Sequence, residues 1–234
     1  MLPRTNKPTF EITIPSTDKK VMARPFVAGE EKILLIAQES GDDKEIVLAI
    51  KQVIQNCVVQ EDFDVNTLAT FDLEYMFIKL RARSVNNIVE VSYRDGEDEK
   101  VYDFEVDLNE VQLIKGDIDP IIMADEFIGC KMKYPSVTLI DDAPKEASPA
   151  EVVEYMILSC IDTIFDQDNV YPATDYTKEE LSAWLDDLDL PVYEKIRNFF
   201  NQMPKMYYEI KYTNSKGTKR SIELNTLTDF FTWG

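Results

Sequence analysis

The chain has 234 residues, of which 44% are hydrophobic and 29% charged, and its formal net charge is −19. This composition is typical of a folded protein with a sizeable core and excludes a disordered or fibrous chain. The negative charge opposes binding to nucleic acid or anionic membranes, and it favours either a basic partner surface or simple solubility.

The cysteines and the apolar runs indicate a cytosolic protein. Cys57, Cys130 and Cys160 are far apart and each lies among apolar residues, which predicts buried thiols rather than a disulfide framework. No apolar run approaches the length needed to span a bilayer. The N-terminal sequence MLPRTNKPTF lacks the apolar segment of a secretion signal. We therefore expect no membrane contact.

The first elements of the chain are a predicted hairpin and two helices. Apolar and polar residues alternate in 9–14 and again in 19–26, on either side of a turn at 15–18. Residues 28–39 and about 44–57 show helical spacing of apolar side chains, and Gly41 separates the two helices.

The next element is a predicted helix with an unusually wide apolar surface, Phe71–Ser84. Thr70 is a suitable N-cap residue, and Asp72 lies in the first turn, where the helix dipole favours negative charge. Arg81 and Arg83 lie in the last turn, where it favours positive charge. The apolar surface is too wide for a half-exposed helix, so we expect this helix to be covered on most sides.

A second hairpin follows, because period-two alternation marks 88–94 and 100–108 around the acidic turn 95–98. Residues 111–114, 120–123 and 127–134 are predicted to add short strands. The first 138 residues are therefore predicted to form an α+β domain of hairpins flanking a helical layer.

Residues 139–149 are acidic and rich in Pro, Ala and Ser, which predicts a linker. Capping boxes begin helices at Ser148 and Thr177, the first extending to about residue 166 and including Ile161 and Ile164. A third helix is predicted from about 191 to 203. Strands at 205–213 and 218–224 then form a hairpin, and a short amphipathic piece closes the chain. The second predicted domain, 150–234, is thus a mainly helical segment that ends in a β-hairpin.

The sequence offers no recognisable catalytic or cofactor-binding arrangement. It contains no histidine, so the commonest general base, the Ser-His-Asp triad and the usual zinc ligands are missing. The cysteines form no CxxC pair, and neither GxxxxGK[ST] nor GxGxxG occurs. We therefore predict no catalytic residue, no metal site and no cofactor.

Two groups of acidic residues are candidate cation sites. Asp141-Asp142 and Asp186-Asp187 with Asp189 offer spaced oxygens, but neither group has the glycine and distal glutamate of an EF-hand loop. Exposed turns are the better interpretation. The acidic stretch 95–99 is likewise predicted to be a hairpin tip, with a metal or partner contact as the alternative.

Five residues are candidates for a protein interface. Arg81 and Arg83 either complement the helix dipole or recognise carboxylates of a partner. Phe230, Phe231 and Trp233, near the C-terminal end of the sequence, either dock on the core or are held out as interface anchors.

Five segments occur in an order that resembles a known family. They are VMARPFVAGEEKILLIAQES (21–40), IKQVIQNC (50–57), FDLEYMFIKLRARSV (71–85), MKYPS (132–136) and EIKYTNSKGTKRSIELNTLTDFFT (209–232). Together they resemble the baseplate hub assembly proteins of T-even-type contractile-tailed phages. The resemblance implies a non-enzymatic protein that acts with phage baseplate hub proteins, in the host cell cytoplasm or in the virion tail baseplate.

Three hypotheses follow. The first is an assembly factor or chaperone that holds a hub subunit ready for incorporation. The second is a minor structural subunit of the central hub that stays in the virion. The third, based on charge alone, is an acidic DNA mimic that inhibits a host enzyme, which predicts carboxylates spaced like phosphates on one face.

Overall fold

The computed structural model describes residues 7–116, 119–142, 144 and 147–230. Within them the chain forms two compact units. Unit 1 is Met1–Ile114 with Lys205–Gly234, and unit 2 is Lys115–Pro204. Both helices and strands are present, so the fold is α+β, as predicted.

The described strands and helices are as follows. The strands are β1 (Phe10–Thr13), β2 (Lys20–Ala23), β3 (Ile88–Arg94), β4 (Val101–Asp107), β5 (Gln112–Ile114), β6 (Ile121–Met123), β7 (Gly129–Met132), β8 (Ile161–Phe165), β9 (Val170–Pro172), β10 (Lys205–Thr213) and β11 (Lys219–Leu224). The helices are α1 (Ala28–Ser40), α2 (Asp43–Cys57), α3 (Thr70–Ser84), α4 (Val137–Asp141), α5 (Pro149–Cys160), α6 (Lys178–Asp186), α7 (Leu190–Asn201) and α8 (Leu227–Phe230). Single 3₁₀ turns lie at Val65–Thr67 and Ala173–Asp175.

The strands of unit 1 are antiparallel. β1 pairs with β2 and β3 pairs with β4, so both predicted hairpins are confirmed. β10 pairs with β11 on one side and with β5 on the other, in the order β11-β10-β5. Ile114 and Lys205 are direct partners in that sheet, although 90 residues separate them in the sequence.

Helix α3 is packed into unit 1, as its wide apolar surface predicted. Seven of its 15 residues are buried, including Asp72. The prediction that Thr70 caps the helix is wrong, because the N-cap position is Ala69. The Asp72 carboxylate instead accepts hydrogen bonds from the Ala69 N–H at 3.1 Å and from the Ser16 N–H at 2.9 Å. The β1–β2 turn and the start of α3 are therefore held by one buried carboxylate.

Unit 2 contains a four-stranded antiparallel sheet, in the order β6-β7-β8-β9, together with α4 to α7. Its core includes the fully buried Ile157, Cys160, Ile161 and Ile196. The capping boxes predicted at Ser148 and Thr177 both begin helices, α5 and α6. α7 also lies where a third helix was predicted.

One predicted helix is too long. The sequence predicted helix to about residue 166, but α5 ends at Cys160 and residues Ile161–Phe165 form β8. The pairing of β8 with β7 shifts by one residue, since Lys131 pairs with Thr163 but Met132 pairs with Ile161. Ile161 and Ile164 have a spacing of three, which also fits a helix. The two isoleucines therefore face the core without strict alternation.

The compact units differ from the domains predicted at 1–138 and 150–234. The division falls after Ile114 and again after Pro204, because β10 returns to pair with β5. Part of the predicted linker, up to Asp141, belongs to the short helix α4. Pairing between strands so distant in the sequence cannot be read from any local sequence pattern. The local composition of residues 139–149 therefore indicated a domain boundary at a different place.

Candidate functional site

The two arginines predicted as interface residues lie at the C-terminal end of α3. The Arg81 guanidinium is half-buried and donates from Nη1 to the Asn86 carbonyl oxygen at 3.4 Å. Burial lowers its pKa, and the Glu31 carboxylate partly opposes that effect. Arg83 is exposed, and its guanidinium carbon lies 5.8 Å from the centroid of the Phe10 ring. Arg83 thus offers the more accessible charge, and a partner contact at either residue stays a prediction.

Of the three aromatic residues predicted as interface candidates near the C-terminal end, the structure describes only Phe230. Phe230 is 1% exposed and lies in a core cluster of unit 1 that also includes buried residues of α3, β3, β4 and β10. Of the two alternatives predicted for Phe230, docking on the core is therefore the one observed. Its ring has almost no surface left for contact with a partner. The Asp229 carboxylate holds this turn by accepting from the N–H groups of Asn225 and Thr226 at 2.9 and 2.8 Å. Phe231 and Trp233 lie outside the described residues.

The acidic side chains of the turn at 95–99 form hydrogen bonds and ion pairs with other residues of unit 1. The Tyr212 hydroxyl donates to Asp95 Oδ2 at 2.5 Å, and Arg220 Nε lies 3.3 Å from the same oxygen. Asn214 Nδ2 donates to Glu97 Oε2 at 2.7 Å. The Tyr212 hydrogen bond is the largest cause of a lowered pKa at Asp95. This hairpin clasp, formed by turns 95–99 and 214–218 with Tyr212 and Arg220, joins β3–β4 to β10–β11.

The thiols have the environment that the sequence predicted. Cys57, Cys130 and Cys160 are buried and unpaired with one another. Burial raises the pKa of Cys57 to about 11 and those of Cys130 and Cys160 to about 12. Such thiols stay protonated at neutral pH and are poor nucleophiles.

Among the described residues, no three His, Cys, Asp or Glu side chains come together as a potential metal site. No helix in the described ranges is both long and apolar enough to cross a membrane.

One concave surface of unit 2 is an apolar groove of about 390 Å³ between the β8–β9 hairpin and α6. Its walls are mainly aromatic and aliphatic, and two carboxylates lie among them. The lining residues are Ile128, Ile164, Phe165, Asp166, Tyr171, Tyr176, Glu180, Leu181 and Trp184. We call this surface the unit 2 groove.

Hydrogen bonds fix the walls of the unit 2 groove. The Asp166 carboxylate accepts from the Tyr171 hydroxyl at 2.6 Å and from the Asp168 and Asn169 N–H groups at 2.8 Å. The Tyr171 hydrogen bond leads the causes that lower the pKa of Asp166, so this carboxyl is ionised at neutral pH. Glu180 Oε2 accepts from the Thr177 N–H at 2.9 Å and caps α6. Both acidic side chains therefore have defined positions.

Sequence reasoning did not predict the unit 2 groove. Its aromatic residues are spread over a hairpin, a 3₁₀ turn and a helix, and no single period brings them to one face. The only sequence signal was the density of acidic residues between 161 and 189, nine against one basic residue.

Further apolar side chains are exposed on both units. In unit 1 the more exposed ones include Ile36 and Leu48, and in unit 2 they include Phe127, Val170 and Leu190.

Comparison with family models places the chain among phage tail proteins. The model described as T4 bacteriophage base plate protein matches residues 7–232, and the chain belongs to this family. Comparison with curated proteins and with solved structures found no match.

Membership confirms the resemblance found in the sequence at the level of the baseplate family. It supports a structural or assembly role in the baseplate and implies interaction with other baseplate proteins. It also suggests the virion tail baseplate as a location.

Proposed function

We propose that the protein is a non-enzymatic assembly factor for the central hub of the phage tail baseplate. In this proposal it binds a hub subunit in the host cytoplasm and keeps that subunit competent for incorporation. Family membership supports a place in baseplate assembly or structure. The choice of an assembly factor rests on the surface chemistry of the chain.

The observation that carries the proposal is the combination of exposed apolar side chains with a strongly acidic surface. Unit 2 has 19 acidic and 7 basic residues, which supply −12 of the net charge of −19. Exposed apolar area can cover the sticky surface of an unassembled subunit, and the excess charge keeps such a complex soluble.

The end of α3 supports a second point of contact. Arg83 is exposed and carries a planar donor group that suits a carboxylate of the partner. Arg81 is half-buried, so a reversal of its charge tests folding as well as binding. We therefore separate the two residues in the experiment.

The test is co-expression of the chain with each hub protein of its phage, followed by affinity capture and size-exclusion chromatography. We expect a stable complex with one hub protein. We expect Arg83→Glu to weaken capture while circular dichroism stays unchanged. Circular dichroism of the double variant with Arg81→Glu measures the effect of the half-buried charge on folding. Lys100→Glu with Lys219→Glu is the matched control, because both lysines are exposed in unit 1.

Two results would change the proposal. A complex that is also present at fixed copy number in purified particles would make the protein a minor structural subunit of the hub. Failure to bind any hub protein would contradict the proposal and leave only the broader baseplate role.

A further inference from the structure

The unit 2 groove combines exposed apolar surface with a fixed shape. Ile128 is 39% exposed and Tyr176 is 41% exposed, although both lie against buried residues of the unit 2 core such as Leu181. A tyrosine ring with this much free surface is a common interface anchor. The groove is therefore a preformed docking surface that needs little reorganisation on binding.

The apolar surface continues beyond the groove. Phe127, the chain neighbour of Ile128, is 49% exposed in the turn between β6 and β7. That turn is fixed, since Asp125 Oδ1 accepts from the N–H groups of Phe127 and Ile128 at 2.7 Å. An open groove with exposed apolar residues next to it suits a segment of polypeptide better than a compact small molecule.

The charge around the groove indicates what kind of segment binds. Asp166 and Glu180 are part of its lining, and the segment 161–189 that forms most of the groove has nine acidic residues and one basic residue. The basic residue, Lys178, lies over the Tyr155 ring at 4.7 Å from its centroid. Electrostatic complementarity therefore favours a basic partner.

The same charge disfavours a second copy of this chain. Unit 2 is strongly acidic, so two grooves brought face to face would place like charges opposite one another. A neutral segment would lack the attraction, and an acidic segment would be repelled. Both observations point to one occupant, a basic segment that carries an apolar anchor.

We propose that the unit 2 groove binds a basic segment of another baseplate protein. An aromatic or aliphatic side chain of that segment lies against Ile128, Tyr176 and Trp184, and neighbouring Lys or Arg residues face the acidic rim. The identity of the partner as a baseplate protein rests on the function proposed above. The apolar anchor and the basic flanks follow from the groove itself.

Trp184 provides a local probe for the test, because the chain has two tryptophans and Trp233→Phe leaves Trp184 alone. In this background we would titrate the full chain with overlapping 20-residue synthetic peptides that cover the baseplate proteins of the phage. We expect peptides with an apolar residue flanked by Lys or Arg to shift the emission of Trp184. Their affinity should fall with rising salt, because screening weakens the attraction to the acidic rim.

Two exposed residues of unit 2 give a matched pair of variants. Tyr176→Ser removes an anchor of the groove and should weaken peptide binding at least about tenfold. Leu190→Ser removes a similarly apolar side chain that is 71% exposed and does not line the groove. It should change the affinity less than about twofold. Both substitutions are on the surface, so thermal unfolding should show little change.

Each other outcome overturns the proposal. Preference for acidic or neutral peptides, equal effects of the two variants, or no peptide binding would each do so. A dimer that Tyr176→Ser dissociates would assign the groove to a second copy. If the chain still captures a hub protein in the co-expression test, the proposed function stands although the groove assignment fails.

Discussion

The Glu74 carboxyl group of α3 has a strongly raised pKa. Burial raises its pKa from 4.5 to about 7, and the Asp229 carboxylate adds to the effect. The folded protein therefore holds the Glu74 proton more tightly than the unfolded chain. Its contribution to stability is greatest below pH 4.5 and is lost as the pH rises through about 7.

This shift predicts a pH-dependent effect of Glu74→Gln. The amide cannot ionise, so the variant should gain stability over the natural protein as the pH rises. We expect the gain to be larger by about 2 kcal/mol at pH 8.5 than at pH 5.5, measured by urea unfolding. Glu90→Gln, at an exposed position in β3, is the control. An equal gain at both pH values would contradict the account.

Asp72 is the other carboxylate of α3 with a structural role. It is completely buried and accepts from Ser16 Oγ at 2.5 Å, as well as from the two N–H groups described above. Asp72→Ala would leave these donors without their partner in a buried site. We expect a loss of roughly 3 kcal/mol in the free energy of unfolding.

The control for Asp72→Ala is Asp62→Ala. Asp62 pairs with Lys19 at 3.5 Å, and its side chain is 77% exposed. An exposed pair of this kind contributes little, so we expect a change below about 0.5 kcal/mol. Similar losses for the two variants would show that the buried network does not stabilise the start of α3.

At the scale of elements, the hairpin clasp explains how two distant hairpins are joined. Burial and the hydrogen bond to Asp95 raise the pKa of Tyr212 to about 12, so its hydroxyl stays a donor. The Tyr212 ring also lies 5.2 Å from Phe104 and 5.0 Å from Tyr102, measured between centroids. The clasp therefore combines hydrogen bonds with aromatic packing.

Tyr212→Phe tests the polar part of the clasp alone, because the ring remains. We expect the melting temperature to fall by a few degrees and amide exchange to increase in residues 95–99 and 214–218. Tyr93→Phe is the control, because it removes a hydroxyl from a more exposed tyrosine of the same aromatic group. If exchange at the two turns is unchanged, the hydrogen bond to Asp95 does not hold the hairpins together.

The sequence predicted most of these elements because their signals are local. Alternation and turn residues located the hairpins, and the capping boxes at Ser148 and Thr177 located the starts of α5 and α6. Contacts between distant elements left no such signal. The acidic turn 95–99 was correctly predicted as a hairpin tip, but its pairing with Asn214 and Tyr212 depends on tertiary structure. The unit 2 groove was missed for the same reason.

At the scale of the whole molecule, unit 2 is inserted in the sequence between two paired strands of unit 1. Ile114 ends β5, Lys205 begins β10, and these two residues are partners in one antiparallel ladder. A short turn can therefore replace residues 115–204 without changing the register of the sheet. Asn-Gly is a suitable turn because it matches the twist of a two-residue hairpin.

We expect the chain 1–114, Asn-Gly, 205–234 to fold with the strands of unit 1. Circular dichroism and cooperative thermal unfolding would measure this. A chain that ends at Ile114 is the control, because it lacks unit 2 as the joined chain does, and it also lacks β10 and β11 and exposes the core that Met206 and Ile210 complete. Folding of the control but not of the joined chain would contradict the division into units.

The central claim, that the protein acts in assembly of the baseplate hub, is tested most directly by its copy number. Quantitative mass spectrometry would compare purified phage particles with baseplate intermediates isolated from infected cells. The account predicts that the protein accompanies a hub protein in the intermediates and is absent from finished particles. A fixed number of copies in finished particles would contradict it and make the protein a structural subunit.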